Sequence, residues 1–266
     1  MDTGAAAIEA TNPRRVFIFW CYGDKNPAWR ARGSEAWQRA LEGAALPGGP
    51  RTAFTTIDAT DMGAPLPPPH TFDAAVLTGS PHAVYEKEPW IERALAYVRS
   101  LAALPRPPRV LGGCFGAQLL AHALGGCVAP TPPFELCATL LRLEEGALAG
   151  FPWAAPLLGL PAARLLESHG DSCVALPPGA VLLASSERCP HEIFTVADGA
   201  GRAFGLGVQA HPEFTVEGEI KGVVMARRLA LALMTEAEAR ACEETFALPR
   251  HEAAVLSAAR MFLDGV

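Results

Sequence analysis

The chain has 266 residues, half of them hydrophobic and 19% charged, with a formal net charge of −6. That length buries a sizeable core in one large α/β domain, and the apolar runs are too short, and too often broken by Gly, Pro or Arg, to span a bilayer. An acidic balance without a block of Lys or Arg argues against a nucleic-acid surface, because phosphate neutralisation needs clustered positive charge; small-molecule or peptide substrates fit better.

Residues 1–14, MDTGAAAIEATNPR, carry acids early and lack the basic and apolar regions of a secretory signal. They are expected to form a flexible tail before one domain over residues 15–266. The seven cysteines (Cys21, Cys114, Cys127, Cys137, Cys173, Cys189, Cys242) form no Cys-x-x-Cys pair and no Cys/His zinc spacing. A reduced, cytoplasmic protein without structural metal is expected, most of its thiols being buried small hydrophobes.

In chain order, RVFIFWC (15–21) is a continuous apolar run bounded by Pro13 and Gly23, the pattern of a central strand covered on both faces. Residues 28–42 carry Trp29, Ala36, Ala40 and Leu41 at helical spacing and stop before Gly43. Strands follow at TAFTTIDA (52–59) and AAVLTG (74–79), separated by the Pro-rich APLPPPH, then a helix over about 89–104 and the short strand RVLGG (109–113). This alternation predicts a mostly parallel central sheet with helices on both faces.

Beyond the helix that follows Cys114 the pieces become shorter and β-like: ATLLRL (138–143), RLLES (164–168), AVLLASS (180–186), EIFTVA (192–197) and AFGLGVQA (203–210). They are expected to include a small accessory antiparallel sheet. From about Val216 the composition is helical, with Pro249 before the last helix. The apolar residues Leu248, Val255, Met261 and Phe262 are expected to pack on their own domain. No internal repeat or linker divides the chain.

One stretch breaks the packing pattern. In VLGGCFGAQLL (110–120), glycines stand two residues before and two after Cys114, the small-x-nucleophile-x-small form of a strand-to-helix elbow. Such a turn has no room for a Cβ on either side, exposes the thiol at the strand end, and aims the next helix's N-terminal amides at the sulfur, where they favour negative charge. The Phe115 amide is then placed to donate to an oxyanion. The plain alternative is a packed core thiol beside a Gly-rich turn. A dinucleotide fingerprint fails, because Cys114 stands where the second glycine of G-x-G would be.

A thiol nucleophile needs a base, and the base an orienting group. His211 follows an apolar strand in GLGVQAHPEF, with Glu213 two residues on. Both can project from the strand end, the carboxylate fixing one imidazole tautomer. A surface His-Pro turn with a solvated glutamate is the alternative.

GGCFGAQ resembles the G-x-C-x-G-x-Q nucleophile motif of class I glutamine amidotransferases, and QAHPEF is similar to that family's Q-G-H-P-E motif. LTGSPHAVYE (77–86) resembles its oxyanion loop and ESHGDS (167–172) its substrate-facing loop, all in the family's order over about residues 15–232. The resemblance implies a flavodoxin-like α/β fold, Cys114 as nucleophile, His211 as general base and acid, and Glu213 as orienting carboxylate. It places oxyanion-hole amides at Gly79, Ser80 and Phe115, and substrate contacts at Gln118, Ser168 and His169, although His169 alone fits a structural turn equally well.

Three positions depart from the family pattern: Ala210 replaces glycine before the histidine, Gly113 replaces a β-branched residue before the cysteine, and Ser80 stands where many members have glycine. The stretches LTGSPHAVYEKEPWI and SSERCPHEIFTV resemble the family's free-standing branch, which includes γ-glutamyl peptidases and GMP-synthase-like amidotransferases. No G-x-x-x-x-G-K-[ST] loop and no length for a synthetase domain are present. The expectation is therefore hydrolysis of a γ-glutamyl amide bond, in a γ-glutamyl peptide or glutamine, through a thioester, with no cofactor or metal and without nucleic acid or membrane. The alternatives are a glutaminase subunit passing ammonia to a separate protein partner, and an idle amidotransferase fold used for binding. The leaving-group pocket is expected from loops 21–27 and 131–136.

Overall fold

The computed structural model describes residues 12–23, 29 and 32–266. The elements run β1 (Arg14–Trp20), α1 (Arg32–Gly43), β2 (Thr52–Asp58), β3 (Ala74–Leu77), α2 (Pro89–Ala102), β4 (Arg109–Gly113) and α3 (Phe115–Ala123). They continue as β5 (Cys127–Leu143), the one-turn α4 (Glu145–Leu148), β6 (Ala163–Ala175), β7 (Val181–Ser185), β8 (Ile193–Ala197) and β9 (Ala203–Val208). A π-helical segment (Val216–Met225) then leads into α5 (Ala226–Ala230), α6 (Glu236–Phe246) and α7 (Glu252–Asp264). Residues 1–11 of the expected tail, and residues 24–27 of the first expected pocket loop, lie outside the described residues.

The strands form a nine-stranded sheet in the order β2-β1-β3-β4-β9-β8-β7-β5-β6. From β2 to β9 neighbours are parallel; from β9 to β6 they are antiparallel. The parallel half shows why its strands read as unbroken apolar runs. Successive side chains point to opposite faces, and both faces are covered: Val16, Ile18, Ala74, Val76 and Leu111 pack with Trp37 and Leu41 of α1 and Phe262 of α7. Phe19, Ala75, Leu77 and Val110 pack on the other face with α2 and α3. Helix α2 starts with Pro89 at its first position and buries Trp90, Ile91, Ala94, Leu95, Val98 and Leu101, a stripe at helical spacing.

The accessory antiparallel part is the β5–β6 ribbon, which among the described residues pairs with the main sheet through Arg142 and Leu143 opposite Ser185 and Ala184 of β7. Both strands are longer than their apolar cores suggest: β5 begins at Cys127 rather than Ala138, and β6 continues to Ala175. The extra length of β5 contains Pro130, Pro132 and Pro133, which have no N–H to give a ladder, and the register slips between Pro130 and Glu135. Pairing with β6, rather than local preference, makes this stretch a strand. Expected pocket loop 131–136 thus belongs to β5.

One ribbon face carries Leu136, Ala138 and Leu166, packed with Ile220 and Met225 of the π-helical segment and Ala239 and Phe246 of α6. Helix α6 starts at a capping box of Thr235 and Glu238. Val255 and Phe262 of α7 are buried in the main core, whereas Leu248, before that helix, is exposed. Among the described residues no helix is long and apolar enough to cross a membrane.

Candidate active site

Cys114 occupies the single residue between β4 and α3, with φ 49° and ψ −110°. A non-glycine residue held there costs about 1–3 kcal/mol, which the surroundings must over-determine. They do so by close approach. A Cβ on Gly112 would stand 2.4 Å from the Gly116 carbonyl oxygen, and one on Gly116 only 2.1 Å from the Leu77 carbonyl oxygen. The glycines let α3 start directly against β3 and β4. The Cys114 N–H donates to the Val208 carbonyl at 2.8 Å, tying the turn to the end of β9.

Gly113, a departure from the family pattern, has a tertiary cause. A Cβ there would lie 2.3 Å from Cζ2 of Trp37, whose indole from α1 fills the space a β-branched side chain would take. Ser80, by contrast, has a local setting: its Oγ accepts the His82 N–H at 3.1 Å, which turns the hydroxyl into its own loop. Ala210, the third departure, is fully buried.

β9 runs parallel beside β4, with Val208 opposite Gly113, so the segment leaving β9 arrives next to Cys114. His211 Nδ1 and Glu213 Oε1 are 2.9 Å apart, and both side chains are buried. The imidazole stacks on Phe214 with centroids 4.0 Å apart, and its backbone N–H donates to the Leu166 carbonyl of β6 at 2.8 Å. Gly79 lies beside both groups: a Cβ there would be 3.1 Å from His211 Cε1 and 3.7 Å from Cys114 Cβ. Burial disfavours the imidazolium, but the Glu213 carboxylate and the Cys114 sulfur outweigh it and hold His211 well above the usual histidine range.

The turn after His211 is fixed from outside. Thr215 donates its N–H and Oγ–H to Glu219 of the π-helical segment, and Arg39 of α1 bonds both Glu219 and the Glu213 carbonyl. The π-helical geometry thus sits where the chain must carry the His-x-Glu turn, a common place for this rare helix.

Cys114 opens into a cavity of about 510 Å³ shared with Ser80, Gln118, Ser168 and Asp171, and into an adjoining recess of about 50 Å³ lined by Gly79, His211 and Glu213. The Cys114 Sγ faces the Ser168 carbonyl at 3.9 Å. Gln118, one turn into α3, donates from Nε2 to the Asp171 carbonyl at 2.8 Å. Phe115 packs its ring against Trp90, leaving only its backbone at the elbow. His169 borders the cavity, but its ring is almost fully buried, with Nε2 3.4 Å from Glu167 and 3.6 Å from Glu135. The ring therefore turns to acids behind the cavity.

The far wall takes Tyr22 and Phe134 from the two segments expected to build the pocket, while Trp29, Arg227, Arg228, Leu231 and Leu233 were not legible in the motifs. Tyr22 and Trp29 stack on one another and Trp29 on Phe214, while Phe134 carries the Arg228 guanidinium 3.8 Å above its ring. Arg227, Leu231 and Leu233 complete that wall. These residues come from separated segments, so no local spacing announces them. Among the described residues no group of three His, Cys, Asp or Glu side chains is arranged to hold a metal ion.

The sequence model of the class-I glutamine amidotransferase family matches residues 40–225. A glutamine amidotransferase-like protein of Schizosaccharomyces pombe is 30% identical over 146 residues, 54% of each chain. Gamma-glutamyl peptidase 3 of Arabidopsis thaliana is 29% identical over 55% of this chain and 56% of its own, and the glutamine-hydrolysing GMP synthase of Parafrankia 38% over 53% and 23%. The matched stretch thus spans from 23% to 56% of these relatives' own lengths. In three dimensions a glutamine amidotransferase from Thermotoga maritima superposes with a TM-score of 0.61 at 19% identity, over 95% of this chain and 99% of its own. One from Methylobacillus flagellatus gives 0.60 at 20%, over 95% and 92%. The fold is shared along nearly the whole chain, and with the family match over residues 40–225 the chain belongs to the class-I glutamine amidotransferases.

Proposed function

We propose that this protein hydrolyses γ-glutamyl amide bonds through a thioester on Cys114, the leaving group being an amino acid or peptide rather than ammonia. One observation carries the reading: a cysteine on a strained, glycine-tight elbow beside a buried His211–Glu213 pair, opening onto a cavity of about 510 Å³. Cys114 attacks the γ-carbonyl. Backbone amides at Phe115 and at Gly79–Ser80 receive the oxyanion, and His211 protonates the departing amine. Water, deprotonated by His211, then releases glutamate, while Glu213 holds one imidazole tautomer throughout. Gln118, Ser168 and His169 are assigned to the glutamyl end.

The size of the cavity and its aromatic and cationic far wall support a leaving group larger than ammonia, since a site for free glutamine alone leaves that wall without a role. The name of the Arabidopsis relative points the same way. A second reading, a glutaminase passing ammonia to a separate synthetase, is favoured by the GMP synthase relatives. Glutamate release from a panel of γ-glutamyl dipeptides, γ-glutamyl tripeptides and glutamine decides between them, with Cys114→Ser as control. Cleavage of the peptides at least tenfold faster than glutamine supports the proposal. Cleavage of glutamine alone, or of nothing with Cys114 unlabelled by a γ-glutamyl-directed thiol reagent, overturns it.

A further inference from the structure

We propose that Glu167 is a positioning residue for His211: with Glu135, Glu192 and His169 it forms a buried acid–imidazole network behind the His211–Glu213 pair, and the charge of that network sets how firmly His211 holds its proton. The inference rests on the reading of His211 as the proton donor to the leaving amine.

The network follows from strand register. In the β5–β6 ladder Glu135 lies opposite His169 and Cys137 opposite Glu167. Directly opposed residues share a face, and alternation brings Glu135, Cys137, Glu167 and His169 to one side while Leu136, Ala138 and Leu166 take the other. The side chains of Glu135, Glu167 and His169 are at most 2% exposed. Glu192, just before β8, is also fully buried, and its main chain bonds Ala184 and Gln209. Three carboxyl groups and an imidazole thus occupy a core position where apolar residues would ordinarily pack.

Partners are unevenly distributed. Glu135 accepts from Thr139 and Cys137 and lies 3.6 Å from the half-exposed Arg188 guanidinium. Among the described residues, the Glu167 carboxyl and the His169 ring have no hydrogen-bond partner; the ring makes only the longer contacts with Glu167 at 3.4 Å and Glu135 at 3.6 Å. Burying several uncompensated negative charges together is too costly to sustain, so protons stay on some of them. Burial, reinforced by the neighbouring acids, pushes both Glu167 and Glu192 well above the usual carboxyl range.

Two observations link the cluster to the site: Leu166, next to Glu167, accepts the His211 N–H, and His211 and Glu213 are among the charges that act on the Glu167 carboxyl. The titratable groups around Glu167 are Glu135 and Cys137 from β5, His169 from β6, Cys189 and Glu192 from the segment before β8, and His211 and Glu213 from the turn after β9. Arg188 reaches the cluster at its Glu135 end. A neutral Glu167 leaves Glu213 as the counter-charge of His211. As pH rises Glu167 loses its proton to solvent, and the new carboxylate stabilises the imidazolium, extending general-acid function to higher pH.

Glu167→Gln keeps shape and removes the ionisation. In the full chain, kcat for a γ-glutamyl peptide and the alkylation of Cys114 by iodoacetamide, followed by mass spectrometry of its peptide, are measured against pH. The acid limb of kcat should superimpose on wild type. The alkaline limb and the upper inflection of alkylation should both move toward neutral by about half to one pH unit, a loss of about two- to fivefold at the wild-type alkaline midpoint. Glu167→Met, also uncharged, should shift both identically and serves if Glu167→Gln does not fold. Limbs that do not move, or a uniform loss at every pH, overturn the proposal. If no γ-glutamyl substrate is turned over while the alkylation inflection still shifts, the network stands and the hydrolase reading fails.

Discussion

The two halves of the sheet meet at the site and are built on different physics. The parallel half, whose inner strands β1, β3 and β4 are apolar on both faces, places Cys114 by steric exclusion, with glycines where a Cβ would stand 2.1–2.4 Å from backbone oxygens. The antiparallel half, β8 to β6, carries Glu135, Glu167, His169 and Glu192 in its interior and supplies charge rather than shape. A residue in a strained turn has to be held by its surroundings, which close packing does well. A proton has to be held at a chosen strength, which burial of interacting acids does well. The difference teaches that the glycine-tight turn and the buried acids are built in separate regions, so each can be perturbed with the other left intact.

The comparison breaks most sharply at Gly116. Gly116→Ala forces a Cβ against the Leu77 carbonyl and should lower the urea-unfolding free energy by about 3 kcal/mol or more, because backbone on both sides cannot yield. A milder break is the pair Gly113 and Trp37. Gly113→Ala alone should cost about 1–3 kcal/mol against the indole. In a Trp37→Leu background most of that cost should vanish, and a double-mutant cycle with a coupling below about 0.5 kcal/mol would show that the indole is not the reason for the glycine.

The antiparallel half is probed by pH. Glu192 has its carboxyl pushed up by burial, so from the ordinary value of 4.5 upward the folded chain keeps a proton that the unfolded chain has lost. Folding stability should therefore fall as pH rises through that window, by at most about 1.4 kcal/mol per pH unit for each such group. Glu192→Gln should match wild type near pH 5 and exceed it at pH 9, as read from urea midpoints. His211 adds to the same trend, its contribution present below the ordinary 6.5 and lost as pH climbs through its raised value.

The smallest effect should come from the parallel half, at Arg15–Asp73. The Arg15 guanidinium, 2.9 Å away, holds the Asp73 carboxyl below its ordinary 3.8. This contribution is present at neutral pH and lost as pH falls through the lowered value, opposite in sign to Glu192. The pair is exposed and screened, so Arg15→Ala should slightly flatten the acid side of the stability profile at low salt and leave no measurable difference at high salt.

Much of this contrast divides along what a sequence can display. Sterically demanded residues leave local traces: Gly112 and Gly116 around Cys114, His211-x-Glu213 at a strand end, and the apolar runs of β1, β3, β4 and β9 were all legible, because glycine spacing and two-residue periodicity are properties of adjacent residues. The first half of β5 was not, since its prolines argue against a strand until β6 pairs with it. Nor was the turning of His169 away from the cavity, which depends on acids contributed by two strands.

The sequence by itself therefore determined the alternating order of strand and helix, the elbow at Cys114 and the family resemblance. Tertiary structure decided what lies around them: the Trp37 indole that requires Gly113, the aromatic and arginine wall of the cavity, and the burial of Glu135, Glu167 and Glu192 beside His169. The reason is physical. Close backbone turns are written in neighbouring residues, whereas desolvation and the mutual repulsion of charges exist only once distant segments have been brought together and water excluded between them.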